Sequence, residues 1–181
     1  MEAVASNDVA GLDDALLGHG SLVMSNVSRG LFHSLTRGRL LHAPQHGIRG
    51  HYYRQFSRMS LAFAVTTEMV LLSVGGGLKR KESLSGRLGD VLSLLYLGSA
   101  VLKHHHDNGS PDDELPLLEW ACQDLLHDMQ TQLHEVLNNL PSRFIAGTVR
   151  LLTFPLGKPY KRPSDKLGLR VADLIMQPGA L

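Results

Sequence analysis

Cysteine is nearly absent from this sequence: its 181 residues hold one, Cys122. A single thiol excludes an intrachain disulfide framework and a cysteine-built zinc site, and it suits a reducing compartment. Cys122 lies in an apolar helical stretch, so it reads as a buried, inert thiol ahead of a nucleophile. An excess of charge of either sign is also lacking. Lys and Arg number 18 against 17 Asp and Glu, a net charge of +1. The chain as a whole is not drawn to polyanions, and no nucleic-acid partner is expected. Long mid-chain stretches free of charge are missing too. The longest mid-chain stretch without a charge, residues 91–102, falls short of the roughly 20 apolar residues that cross a bilayer and reads as a buried helix. The opening "MEAVASNDVAGLDD" has no basic region ahead of an apolar one, so a signal peptide is not expected. The compartment expected is cytoplasmic.

What is present is an ordinary globular composition, 43% apolar and 19% charged, in a length that suits one domain. Strand alternation with hairpin turns and internal repeats are not found, and the periodicity is helical. Leu84, Leu88, Val91, Leu95, Gly98 and Leu102 recur at spacings of three and four, which places them on one side of a helix. Residues 112–140 repeat the pattern through Leu118, Cys122, Leu125, Met129, Leu133 and Val136 to Leu140. Between them, Asn108-Gly109 is a stop signal, and Ser110-Pro111-Asp112-Asp113 a start signal. Pro116 suits a first turn, which moves the second helix's start toward 114. The two helices are expected to pack antiparallel.

Upstream, residues 50–74 read as a helix with Phe56, Met59, Thr66 and either Met69 or Val70 on one side. Residues 37–50 read as a loop, and 9–36 as a weaker helical segment diluted by glycine. Pro141 ends the second long helix, and residues 142–153 form a short basic one. Residues 154–166 are an extended arm with three prolines, and a last helix starts at Ser164 or Asp165 and ends before Pro178. The fold class is all-α: one helical domain over 1–181, a bundle of antiparallel long helices with an extended Pro-rich C-terminal arm. Its parts are an N-terminal helix and loop (9–48), core helices (50–140) and a basic helix, arm and terminal helix (141–181).

"SVGGGLKRKESLSGRLGD", residues 73–90, invites comparison with a phosphate loop. A Walker loop needs a glycine followed by Lys and then Ser or Thr, and none is present. A dinucleotide turn needs a third glycine where Arg80 stands, between a strand and a helix. The glycines read instead as a change of direction between helices, with Ser83 or Ser85 capping the next one. The histidines at 104–106 point about 100° apart along a helix and cannot together ligate one metal, so they read as a solvated helix end. Glu68, on an apolar helix near Arg54 and Arg58, reads as an ion-pair partner ahead of a base, and Arg87 can pair with Asp90. No catalytic constellation and no metal set emerge from spacing. The best candidate surface is 142–162, where Arg143, Arg150, Lys158, Lys161 and Arg162 interleave with Phe144, Ile145, Leu151, Leu152 and Phe154. That is a basic amphipathic pattern suited to an anionic membrane or a partner. An ordinary docked helix with a basic edge carries the same pattern and has the better odds.

The stretches "HYYRQFSRMSLAFAV", "LKRKESLSGRLGDVLSLLYLGSAVLK", "DDELPLLEWACQDLLHDMQ" and "FPLGKPYKRPSDKLGLRVADLI", in this order, resemble the C-terminal part of large bacterial fatty acyl-CoA dehydrogenases of the FadE type. The resemblance is collinear from about residue 9 to 178, and even "MEAVASND" is similar to an internal stretch of such enzymes. It implies a flavoprotein of β-oxidation, in which a glutamate takes the α-proton of a fatty acyl-CoA and FAD accepts the hydride. In such families the flavin domain and that glutamate lie upstream, so the resemblance assigns neither a catalytic residue nor an FAD contact to this chain. It implies as partners the catalytic body of the enzyme and further copies in a homo-oligomer. A looser similarity to the extra helical region of mitochondrial very-long-chain enzymes implies membrane attachment.

Overall fold

A computed structural model describes residues 42–176. The expected helix over 9–36, and the loop up to residue 41, lie outside them. Among the described residues there are five α-helices and no strand. Helices α1 (Gly47–Val74), α2 (Glu82–Asp107) and α3 (Leu115–Asn138) are long, and α4 (Arg143–Thr153) and α5 (Asp165–Ile175) are short.

Local chemistry sets the boundaries. At its start α1 passes Gln45 so closely that a Cβ on Gly50 would run into that backbone carbonyl. Its end is Gly75 at φ 53°, after which Gly75–Arg80 turns the chain in a short 3-10 helix. Helix α2 ends at Asp107, and Gly109 (φ 83°) and Ser110 (φ 57°) reverse the chain. Pro116 sits in the first turn of α3. Ser142 caps α4 by accepting from the Ile145 N–H, and Ser164 caps α5 by accepting from the Leu167 N–H. The expected cap of α2 by Ser83 or Ser85 is not made. Lys81 occupies that position, and the Ser85 hydroxyl instead donates to the Glu82 carbonyl at 3.1 Å.

The three long helices run up, down and up around two clusters. One joins Tyr52, Phe56 and Met59 of α1 to Val91 and Leu102 of α2 and Met129 of α3. The other joins Val65 and Val70 of α1 to Leu84 and Leu88 of α2, with Val136 of α3 and Val149 of α4. Along α2 the residues that meet the first half of α1, Val91 and Leu102, thus lie beyond those that meet its second half, Leu84 and Leu88. That is the antiparallel arrangement expected from the two apolar stripes. The α3 stripe is centred on Leu126 rather than Leu125, which is only half-buried.

Residues 154–164 contain no helix but do not reach away from the bundle. Their central side chain, Tyr160, is clamped on all sides. Its N–H donates to Gln130 Oε1 (3.1 Å), and its carbonyl accepts from Gln130 Nε2 (2.9 Å). Its hydroxyl donates to Gln55 Oε1 (2.8 Å) and accepts from Arg58 Nη1 (2.7 Å). The segment is therefore a strap that ties α5 to the bundle. Tyr160→Phe removes the acceptor of a buried guanidinium N–H, so a loss of about 2 kcal/mol in urea unfolding is expected. A loss below roughly 0.5 kcal/mol, the range of an ordinary surface change, would show that the hydroxyl holds nothing.

Candidate docking surfaces and the buried polar latch

The five basic residues of 142–162 separate in the structure into two engaged and three free ones. Arg162 bridges two carboxylates on successive turns of α3, Asp124 (2.9 Å) and Asp128 (3.0 Å). Arg150 is half-buried and donates to Asn138 Oδ1 at 2.8 Å. Arg143, Lys158 and Lys161 are exposed and make no ion pair among the described residues. Helix α4 turns Ala146, Val149 and Thr153 inward and leaves Phe144 84% and Leu151 65% exposed, seven residues apart on its outer face. A second apolar surface is the groove between α1 and α2, about 820 Å³ in volume, where Tyr96 stands 75% exposed beside Leu92, Leu61 and Phe63.

Beneath the strap lies a buried polar latch that the sequence reading did not foresee. Arg58 is 3% exposed. Its guanidinium lies over the rings of Phe154 (5.8 Å) and Tyr160 (5.5 Å) and donates to the Thr153 carbonyl at 3.1 Å. No carboxylate faces it among the described ion pairs, and its Nε has no partner. Ring faces and neutral oxygens hold the charge instead. Burial raises the pKa of the Tyr160 phenol, against the pull of the Arg58 guanidinium. One signal for this latch was legible: Arg58 falls between Gln55 and Met59 in the phase of the buried stripe of α1.

The other residues weighed for chemistry fall as follows. Cys122 is fully buried, and burial pushes its thiol up to about 12, far from a reactive thiolate. The expected solvated end at 104–106 holds for His104 and His106 only. His105 is buried and accepts from Arg49 Nε at 3.0 Å, and Arg49 also pairs with Asp112 at 2.6 Å. The helical rotation that separates the three histidines turns the middle one into the bundle. Burial, then the Arg49 charge, lowers its pKa, opposed by Glu114 at 3.7 Å. Arg87 donates to the Ser83 carbonyl (3.2 Å) and does not pair with Asp90. Glu68 is half-buried in the second half of α1. No group of three His, Cys, Asp or Glu side chains among the described residues is arranged to hold a metal ion.

Two comparisons bear on these surfaces. No solved structure matches the chain. A family model described as "Acyl-CoA dehydrogenase, C-terminal, bacterial type" matches residues 1–181, the whole chain.

Proposed function

Because the chain belongs to the bacterial-type acyl-CoA dehydrogenase C-terminal family, we propose that it is the accessory helical domain of an FAD-dependent dehydrogenase of fatty acid β-oxidation. In this reading the flavin and the base that takes the α-proton of the acyl-CoA belong to the enzyme's catalytic body. The present chain packs on that body and joins subunits into a homo-oligomer. The observation that carries the reading is the apolar surface left outside both clusters: Phe144 and Leu151 on α4, and Leu92 and Tyr96 beside the α1–α2 groove. Covering such side chains stabilises a complex by roughly 25 cal/mol for each Å² removed from water.

The test is made in the full enzyme that carries this domain. Phe144→Ser with Leu151→Ser, and Leu92→Ser with Tyr96→Ser, keep the buried stripes and change only exposed positions. At least one pair is expected to shift the assembly to a smaller species in light scattering and to lower flavin retention. Unchanged mass and unchanged flavin content in both pairs would refute a packing role for these faces.

A second reading is peripheral attachment to an anionic membrane. It is favoured by the three unpaired cations Arg143, Lys158 and Lys161, which share their segment with the exposed Phe144, Leu151 and Leu156. Vesicle co-sedimentation, with those three cations changed to Glu, separates the readings. Equal sedimentation of both proteins removes the electrostatic membrane role.

A further inference from the structure

The basic run that follows the three glycines lines a concavity, and we propose that this concavity is a binding site for a phosphate ester. It measures about 390 Å³ and lies where the first turn of α2 meets the end of α3. Arg80, Lys81 and Arg87 line it together with Ser83, and Asn139 from the end of α3 also lines it. Three cations meet there with one acid, Glu82. None of the three takes part in an ion pair among the described residues. The guanidinium of Arg87 is oriented by its bond to the Ser83 carbonyl through Nη1, which leaves its other N–H groups for a ligand.

The charge of this cluster is not neutralised by an ion pair among the described residues. Three like charges within eight residues repel one another, whereas several other cations on this surface have been given partners. Arg49 has Asp112, Lys103 has Asp107, and Arg162 has both Asp124 and Asp128. A doubly charged anion with several acceptor oxygens satisfies what Arg80, Lys81 and Arg87 lack, and guanidinium groups match phosphate oxygens in a forked geometry. A carboxylate would leave more of the charge uncompensated. The concavity is open to solvent, so the residue to which the phosphate is esterified can extend out of it.

The construction differs from the glycine-rich loops with which the stretch 73–90 invites comparison. Gly75, Gly76 and Gly77 do not line the concavity, and the donors are side chains rather than loop amides. Two sources share this ligand chemistry: the phosphate-bearing head of coenzyme A and the headgroup of an anionic phospholipid. Naming coenzyme A rests on the family reading, whereas the site rests on the geometry of these side chains.

Calorimetric titration of the whole chain with coenzyme A, and co-sedimentation with phosphatidylglycerol vesicles against phosphatidylcholine vesicles, test it. The triple variant Arg80→Gln, Lys81→Gln, Arg87→Gln is compared with Arg143→Gln, Lys158→Gln, Lys161→Gln, which removes the same charge elsewhere. Circular dichroism checks that both remain helical. The first variant is expected to weaken binding of one of the two probes at least tenfold, and the second to leave that probe within twofold of the parent. Loss confined to coenzyme A assigns the soluble ester, and loss confined to phosphatidylglycerol assigns the headgroup. Equal weakening by both variants, or no saturable binding of either probe to the parent, overturns the proposal and leaves a solvated basic turn. Failure here would leave the assembly experiment on the full enzyme untouched, and failure there would leave this one standing.

Discussion

Gly98→Ala is expected to cost about 3 kcal/mol of stability, although alanine is the better helix former by about 1 kcal/mol. Gly98 lies in the middle of α2 and is buried against α1, and a Cβ at this position would overlap the edge of the Phe56 ring. That ring is itself buried in the first cluster, 5% exposed, so it can turn away toward the groove only by giving up its packing there. Overpacking therefore outweighs propensity. Substituting Phe56→Leu in the same chain opens the space, and the two changes together should be less damaging than their sum by more than about 1 kcal/mol. Urea unfolding of the parent, both single variants and the double variant measures this coupling. An alanine variant as stable as the parent would show that the helices separate easily, and additive losses would show that Phe56 is not what the methyl group meets.

The second large effect is a loss of stability in mild acid. His134, near the end of α3, is 6% exposed, its ring is 4.7 Å from that of Phe154, and its Nε2 has no partner. Burial first, then the charges of Lys158 and Arg150 against the opposing Glu135, push its pKa down to about 4. In the unfolded chain the imidazole titrates near its ordinary 6.5, so that state takes up the proton first as the pH falls. The contribution is complete above pH 6.5 and is lost progressively toward pH 4, by up to roughly 3 kcal/mol. His105, lowered by burial and then Arg49, and His51, lowered by burial and then Arg54, act in the same direction. The exposed Asp107, whose pKa Lys103 holds below the carboxylate value of 3.8, contributes only at still lower pH. His134→Met removes the titrating group while keeping an apolar side chain against Phe154. The variant should lose less stability than the parent between pH 7 and pH 4.5, a window in which the parent changes by a large part of one proton. Identical pH profiles would mean that His134 is reached by water and titrates as it does in the unfolded chain.

Both effects depend on particular contacts, and they mark the limit of what periodicity carries. The apolar spacing of α2 placed Gly98 on the buried side, yet spacing says nothing of which ring it meets. His134 sits two residues before Val136 and one after Leu133, close to the stripe of α3. Nothing along that helix reveals that the strap brings Phe154 onto it. The same holds for the basic segment 142–162. Its pattern is uniform in sequence, but the carboxylates that engage Arg162 are 38 and 34 residues away. The concavity beside α2 likewise needs Asn139 from the end of a different helix.

By itself the amino-acid order determined the helices, their ends and their pairing. Helix periodicity, Gly109, Pro116, Ser142 and Ser164 all act through neighbours within a few residues, so their effects are written locally. It also sufficed for the family, through motifs that run the length of the chain. Tertiary structure alone decided which polar side chains would be enclosed and which cations would remain unpaired. Arg58 is buried under Tyr160 from 102 residues away, His105 is turned inward onto Arg49, and Arg80, Lys81 and Arg87 are left without an ion pair among the described residues. The physical reason is that a charge is neutralised, and a donor satisfied, by whatever the fold brings within about 3 Å, and sequence separation does not set that distance.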